Sequence, residues 1–373
     1  MPRYLVLNGP NLDLLGRREP EIYGSTSLQE LCDDLSHFAA LRSISVDFFQ
    51  SNSEAEVGER LVAADGTFDG LILNPGALTH YSRALGDAVA AISTPVVEVH
   101  ISNILEREPW RRRSVINPDL RIYGRGIHGY RWAILHLQNR LAAPVESLRY
   151  GPLPDQRGDL RMVAGAENLV VLVHGGLWRH EWTADTTESI AVDLFRRGIA
   201  TYNIEYRRLG LGGGWPESFA DIATALRRTP DLTGFSGEQV VLLGHSAGAT
   251  MSLWAEHPGL TVALAPFCDL VAARTQGLAG DTFGRLLPEP LDDPKRYSPA
   301  QRLPRAGSAV VVASPDDRLV PMDQIRRYVA DARRQGSGID LLESEGGHFD
   351  MLEPSTSSWE LVVRALGARK ATV

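Results

Sequence analysis

A chain of 373 residues exceeds the size at which one hydrophobic core stops growing, so two domains are expected, each burying its own core. A formal charge of −8 with 23% charged residues argues against a sequence-independent hold on nucleic acid or on anionic membrane lipid, which leaves small molecules as the expected partners. Two cysteines, Cys32 and Cys268, stand far apart without metal-ligand spacing, so no metal is expected and a reducing, cytoplasmic setting is.

The opening run Tyr4 to Leu7 breaks at Asn8-Gly9-Pro10, too early for a signal-peptide core, and no later run approaches the length of a membrane span. From there short apolar runs alternate with amphipathic stretches: YLVLNGPN, SLQELCDDLSHFAAL, ISVDFFQSNSE, AEVGERLVAA, FDGLILNPGA, YSRALGDAVAAI, PVVEVHISN, RIYGRG and GYRWAILHLQNRLA. Near-continuous apolar strands between helices predict a parallel sheet covered on both faces, and five strands predict a flavodoxin-like, doubly wound order. Pro144 marks a boundary, because the residue before proline is driven out of helical geometry. The expected domains are therefore 1–144 and 145–373.

The second begins with a hairpin in SLRYGPLPDQRGDLRMV. It continues through NLVVLVHGG, helix TTESIAVDLFRRG, strand ATYNIEYRR, helix SFADIATALRRT, strand QVVLLGHS and helix AGATMSLWAEH. Strands TVALAP and AVVVASPDD, helix MDQIRRYVADARRQG, strand IDLLESE and helix SWELVVRALGARK complete it. The glycine-rich LGLGGGWP lacks the lysine and helix start of a phosphate-cradling loop and reads as a surface turn.

Ligands of an open parallel sheet bind beyond the carboxyl ends of its strands. Four strands of the first domain end there in uncharged hydrogen-bonding groups: Asn8-Gly9-Pro10-Asn11, Gln50-Ser51-Asn52, Asn74-Pro75-Gly76 and His100-Ile101-Ser102-Asn103. Nearby, one of Arg111, Arg112 and Arg113 offers a forked partner for a carboxylate, while the others suit a solvated face. The loop GRREPEIYGS sets Arg17 and Arg18 shortly before Tyr23, between proline and glycine punctuation, as a mobile lid would be built. A tyrosine titrates near ~10 and serves as a base at neutral pH only beside a cation that stabilises its phenolate.

These segments, YLVLNGPNLDLLGRREPEIYG, LILNPGALTHYS and VVEVHISNILEREPWRRRS, resemble in order and spacing the signature segments of the type II 3-dehydroquinate dehydratases over about Tyr4 to Leu141. The resemblance implies that Tyr23, helped by Arg18, removes the proton beside the ketone of 3-dehydroquinate, and that Asn11 positions the water stabilising the enolate. It further implies that His100, oriented by Glu98, protonates the departing hydroxyl. Asn74 would support that histidine and bind substrate. Arg111, the backbone at Ile101 and the hydroxyl of Ser102 would hold carboxylate and hydroxyl groups, and His80 a ring hydroxyl. Asp87 matches an aspartate that reaches the active site across a subunit contact, and the family's dodecamers imply a homo-oligomer. Leu78 and Tyr81 depart from the family pattern around His80. Such a dehydration needs a base, an enolate stabiliser and an acid, with no cofactor.

In the second domain LLGHSAGA fits G-x-S-x-G, the tight strand-to-helix turn that lifts a serine hydroxyl above a sheet. Ser246, an aspartate after AVVVAS and His348 occur in the chain order nucleophile, acid, histidine. The acid is Asp317, in D-x-x-V-P, or its neighbour Asp316. In HGGLW, Gly175 and Gly176 let backbone N–H groups approach a reacting oxygen, with the N–H of Ala247 as a further donor. HGGLW together with GHSAGA resembles the esterase and kynurenine-formamidase branch of the α/β-hydrolases over about Tyr150 to Gly367. His245 packs or lines the pocket, His257 ends a helix, and Trp178 and Trp215 line an acyl or aryl pocket or belong to the core or rim. The expected whole is a bifunctional enzyme, a dehydratase joined to a serine hydrolase for a small ester or amide. The alternatives are a silent or oligomerising hydrolase-like domain, or a hydrolase carrying a flavodoxin-like binding module.

Overall fold

The five apolar runs of the first domain pair in parallel as β1 (Arg3–Asn8), β2 (Ser45–Gln50), β3 (Gly70–Asn74), β4 (Val96–His100) and β5 (Leu120–Tyr123), in the order β2-β1-β3-β4-β5. The computed structural model describes residues 1–255, 257–287 and 296–367 and separates into two units, one from Met1 to Leu141 and one from Ala142 onward. Alternation along β1 shows why the first sheet is covered twice. Tyr4 and Val6 pack with residues of α2 (Leu28–Ala40) and α5 (His128–Ala142), following the short α1 (Pro20–Tyr23) in the lid loop. Leu5 and Leu7 pack on the opposite face with α3 (Glu54–Ala63) and α4 (Arg83–Ala91).

Helix starts are written locally. Ser27 accepts the amide of Glu30 at 3.2 Å while Glu30 accepts the amide of Ser27 at 2.8 Å, a reciprocal cap worth about 1 kcal/mol. The strand order reverses beside β1, whose last residue Asn8 stands opposite both Gln50 and Asn74. A crevice therefore opens at that edge, because the connections from β1 and β3 leave toward opposite faces. This is the flavodoxin-like, doubly wound order expected above.

Among its described residues the second unit holds eight strands: β6 (Glu146–Arg149), β7 (Arg157–Arg161), β8 (Leu169–Val173), β9 (Ala200–Ile204), β10 (Val240–His245), β11 (Thr261–Leu264), β12 (Ala309–Ala313) and β13 (Ile339–Glu343). Their order is β13-β12-β11-β10-β8-β9-β7-β6, with β6 antiparallel to β7, β7 antiparallel to β9, and the remaining pairs parallel. Its helices are α6 (Glu188–Arg196), α7 (Glu217–Thr233), α8 (Ala247–Trp254), α9 (Leu270–Thr275), α10 (Thr282–Leu286), α11 (Met322–Arg334) and α12 (Ser357–Gly367). Leu169, Val171 and Val173 of β8 face α7, α8 and α11, whereas Val170 and Leu172 face α6 and α12.

Three helices differ from expectation. α7 continues past Pro230, where the sequence reading stopped it, because a proline removes only one helical hydrogen bond. The last turn is closed by Thr233 Oγ1 donating to Thr229 O at 2.7 Å and by Gly234, at φ 81°, donating to Pro230 O at 2.9 Å. α9 and α10 were not foreseen, since pieces of six and five residues carry no readable 3.6 periodicity. Of the helix expected at Ser358–Lys370, residues 368–370 lie outside the described residues, as does residue 256 of the helix after Ser246. Among the described residues, no helix is long and apolar enough to cross a membrane, and no three His, Cys, Asp or Glu side chains stand where they would hold a metal.

Candidate active sites

The carboxyl edge of the first sheet opens into a cavity of about 200 Å³. Asn11, Arg18, Tyr23, Asn74, His80, His100, Ile101, Ser102 and Arg111 all line it, although they come from separate loops after β1, β3 and β4. Asn11 enters its loop at φ 68°, and its amide is tied to Asn52 Oδ1 at 2.7 Å, which pins the loop after β1 to the one after β2. Tyr23 ends α1. Its hydroxyl receives a hydrogen bond from Arg107 Nη1 at 3.1 Å, whereas Arg18 lies 5.6 Å from the ring centre and directs Nε to Glu19 at 3.0 Å. The direct partner of the phenol is thus Arg107 rather than the expected Arg18.

His100 also lines the cavity, with Nε2 2.7 Å from Glu98 Oε1. Two residues apart on one strand, both side chains project to the same face. Glu98 is fully buried and also accepts Thr79 Oγ1 at 2.5 Å and Arg121 Nε at 2.7 Å. Burial by itself would raise its carboxyl. The hydrogen bond and charge of His100, then Arg121 and Thr79, outweigh burial and hold it below its ordinary value. Asn74 Nδ2 donates to Tyr130 Oη at 2.7 Å, and that hydroxyl donates to Asn8 Oδ1 at 2.7 Å. The amide's bonds therefore run to Tyr130 and to the amide of Gly76 rather than to His100.

His80 has Nδ1 2.8 Å from Arg113 O and meets Trp110 edge-on at 5.3 Å, while the Arg111 guanidinium lies over the same indole at 4.1 Å. Burial lowers the His80 value, only partly offset by the Arg113 carbonyl, which favours the neutral ring. Leu78 is buried and Tyr81 is exposed. Asp87 does not reach the cavity; it lines a different cleft with Arg83 and Arg113.

In the second unit β10 ends in the turn to α8, with Ser246 at φ 54°, ψ −118°. A non-glycine residue held there costs about 1–3 kcal/mol of strain, which surrounding packing must offset. That packing is tight. A Cβ on Gly248 would sit 2.1 Å from Val173 O, and one on Gly175 would sit 2.8 Å from His245 Nδ1 and 3.0 Å from Ser246 Cβ. Both positions demand glycine because backbone from β8 and β10 meets there. Gly176, at φ 105°, lies directly under Trp182.

His348 Nδ1 is 2.6 Å from Asp317 Oδ2, and Asp317 Oδ1 accepts the amides of Leu319 at 2.7 Å and Val320 at 3.0 Å. Burial would raise this carboxyl, but His348 and the two amides hold it below its ordinary value. Asp316 is exposed. His245 packs beside His348, with ring centroids 4.6 Å apart and its Nε2 2.9 Å from His348 O, and burial followed by the His348 charge pushes its value down to about 3. His257 is buried with Nε2 2.8 Å from Val240 O. Trp178 is a core residue, fully buried with Nε1 donating to Met251 Sδ at 3.1 Å, while half-buried Trp215 packs edge-on against Phe219 and Trp254.

Sequence reasoning overlooked Arg107, Thr79 and Arg121. Arg107 lies within VVEVHISNILEREPWRRRS but was masked by the louder arginine run after it. Arg121 carried a signal, since a charged residue in a short strand beside a buried carboxylate is its natural partner.

Fold and site together define a chain of two α/β enzyme-like units, a doubly wound sheet with a polar cavity and a hydrolase-type mixed sheet with a strained serine turn. Residues 2–138 match the family model described as "Dehydroquinase class II", and residues 161–261 match that described as BD-FAE. The 3-dehydroquinate dehydratase of Anoxybacillus flavithermus is 52% identical over 139 residues, 37% of this chain and 94% of that protein. That of Bacillus subtilis is 48% identical over 139 residues, again 37% and 94%. The chain belongs, through its first unit, to the class II dehydroquinase family. For the second unit, a truncated carbohydrate esterase from gut microbiota aligns at a TM-score of 0.52 and 16% identity, covering 61% of this chain and 97% of that one, which establishes the α/β-hydrolase fold.

Proposed function

We propose that the chain is a bifunctional enzyme whose residues 1–144 dehydrate 3-dehydroquinate to 3-dehydroshikimate and whose residues 145–373 hydrolyse a small ester or amide. The reading of the first half rests on one observation above others: Tyr23, with Arg107 on its oxygen and Arg18 near its ring, shares a cavity with a carboxylate-backed His100. The Arg107 guanidinium sits on the oxygen that a phenolate would charge. Tyr23 takes the proton from the carbon beside the ketone, and the enolate charge falls to a water held by Asn11. His100 then delivers a proton to the departing hydroxyl, which leaves as water while the enolate re-forms the ketone beside the new double bond; the proton held by Tyr23 is lost to solvent and His100 regains one, which restores both groups. Glu98 fixes the imidazole, and Thr79 and Arg121 fix Glu98. Arg111, Ser102, Asn74, His80 and the amide at Ile101 seat the carboxylate and ring hydroxyls. Relatives in the family carry the same activity in their names. By the family resemblance, Asp87 serves the cavity of a second copy in a homo-oligomer.

In the second half Ser246 attacks the acyl carbon while His348, oriented by Asp317, accepts the hydroxyl proton. The amides of Ala247, Gly176 and Gly175 face the developing oxyanion. The hydrolase fold and the His348–Asp317 bond support this reading. The test of the whole is ultraviolet detection of dehydroshikimate with Tyr23→Phe and Ser246→Ala in parallel. Dehydration should vanish in the first and persist in the second. Covalent linkage suggests that the ester is an acyl-quinate or acyl-shikimate; assaying acyl-quinates against simple aryl esters and N-formylkynurenine tests this, and no preference for the first group would discard it.

A further inference from the structure

Behind the glycines of HGGLW lies a buried pair that neither active site, as read above, employs. The His174 ring is fully buried and stacked on Tyr206, with centroids 4.3 Å apart and planes 16° from parallel. Both of its nitrogens meet acceptors: Nδ1 is 2.8 Å from Gly175 O and Nε2 is 2.7 Å from Glu205 Oε1. The Glu205 carboxylate, for its part, is surrounded by donors. The Tyr206 amide reaches Oε1 at 2.9 Å, and the Ala184 amide and Arg208 Nη1 each reach Oε2 at 3.1 Å. A neutral imidazole has one N–H and one lone pair, so it would turn a lone pair toward one of those two oxygens. A doubly protonated ring satisfies both.

The location gives that charge a use. The peptide unit whose carbonyl oxygen is Gly175 O carries the Gly176 N–H at its other end, pointing the opposite way across a trans bond. A cation on the oxygen fixes the peptide plane and deepens its dipole, which strengthens the opposed N–H as a donor. The Tyr206 hydroxyl braces the same turn from His174 O at 3.0 Å.

We propose that His174 is an imidazolium held by Glu205, and that the pair orients and polarises the Gly175–Gly176 peptide so that its N–H receives the oxyanion formed at Ser246. Glu205 is a positioning residue, and the inference rests on the serine-hydrolase reading. Several other groups face the pair. Arg208 is on Glu205, with Asp155 3.3 Å from its Nη2; the Tyr150 hydroxyl is on Glu205 O at 2.6 Å; and His245 on β10 feels the His174 charge. Burial would raise the Glu205 carboxyl, but the charges of Arg208 and His174 hold it well below its ordinary value. The carboxylate is therefore present to hold the cation across neutral pH.

Nitrogen NMR of the full chain labelled at histidine reads the ring directly. Among the ten histidines, the His174 ring, identified as the one that changes in Glu205→Gln, should keep both ring protons at about pH 8, where an ordinary imidazole is neutral, in the unmodified chain and in Ser246→Ala. Glu205→Gln should abolish that signal and lower kcat on p-nitrophenyl acetate about tenfold with KM nearly unchanged, less than the loss of a whole oxyanion donor, and Glu205→Asp should recover part of it. Ten rings that all lose a proton by that pH, or an unchanged kcat in Glu205→Gln, would overturn the inference. Failure of a fluorophosphonate to label Ser246 in the unmodified chain would instead overturn the hydrolase reading and, with it, the role assigned to the pair.

Discussion

The cavity of the first unit and the serine turn of the second both gather polar groups at the carboxyl ends of parallel strands, yet they are built from different parts. The first is made of side chains. Arg107 holds Tyr23 at 3.1 Å, while Glu98 on β4 holds His100 at 2.7 Å and is itself held by Arg121 at 2.7 Å. The second is made of backbone. Ser246 and Gly176 sit at positive φ, and Gly175 and Gly248 leave no room for a Cβ. A side-chain site should therefore fail gradually, one hydrogen bond at a time, whereas a backbone site should fail at a single added methyl.

The largest effect that would break this comparison is at Ser246, the proposed nucleophile. Ser246→Ala should reduce ester hydrolysis by a factor on the order of 10⁵ or more while dehydration stays intact, measured on one preparation with both assays. Tyr23→Phe should lower dehydration by at least about 10³-fold without touching the esterase rate. Residual dehydration near the unmodified rate would remove Tyr23 from the chemistry. Gly175→Ala adds one methyl against His245 Nδ1 and Ser246 Cβ and should cost about 10²-fold in hydrolytic kcat, comparable to losing an oxyanion donor. A rate close to the parent would mean the turn is less rigid than its contacts imply.

Thr79→Val should act more gently, lowering dehydration about tenfold and stability by roughly 1 kcal/mol at pH 7 through the hydrogen bond to Glu98. The carboxyl of Glu98 is depressed in the folded state, so its stabilisation is present above the ordinary carboxylate value and is lost as pH falls through the folded value. The gap between Thr79→Val and the parent in thermal melting should hence close on acidification below that ordinary value; a gap that persists would show that packing, not charge, was lost. Smallest of all, Asp316→Asn should leave hydrolysis within about twofold, since surface changes away from partners are usually near neutral. A large loss there would move the acid from Asp317 to its neighbour.

Much of the architecture was legible because periodicity and punctuation are local. The near-continuous apolar strands demanded a sheet covered on both faces, and the doubly wound order followed. α9 and α10 were illegible because they are too short to show a period, and the extension of α7 through Pro230 depended on how its last turn was closed. At the sites, residues such as Asn11, Asn74 and His100 could be placed at strand ends from their motifs alone. The partner of Tyr23 could not, since Arg18 and Arg107 are equally arginine in sequence and only folding brings the Arg107 guanidinium to the phenol.

By itself, then, the order of residues determined two sheets, the edge of each on which chemistry would gather, and the glycines that a close-packed turn requires. The three-dimensional structure alone decided which polar groups meet: Arg107 on Tyr23, Thr79 and Arg121 on Glu98, and Glu205 on His174. The reason is range. Strand and turn preferences act over a few neighbouring residues, while a buried charge finds its partner only after distant strands have fixed which side chains share a space that water cannot enter.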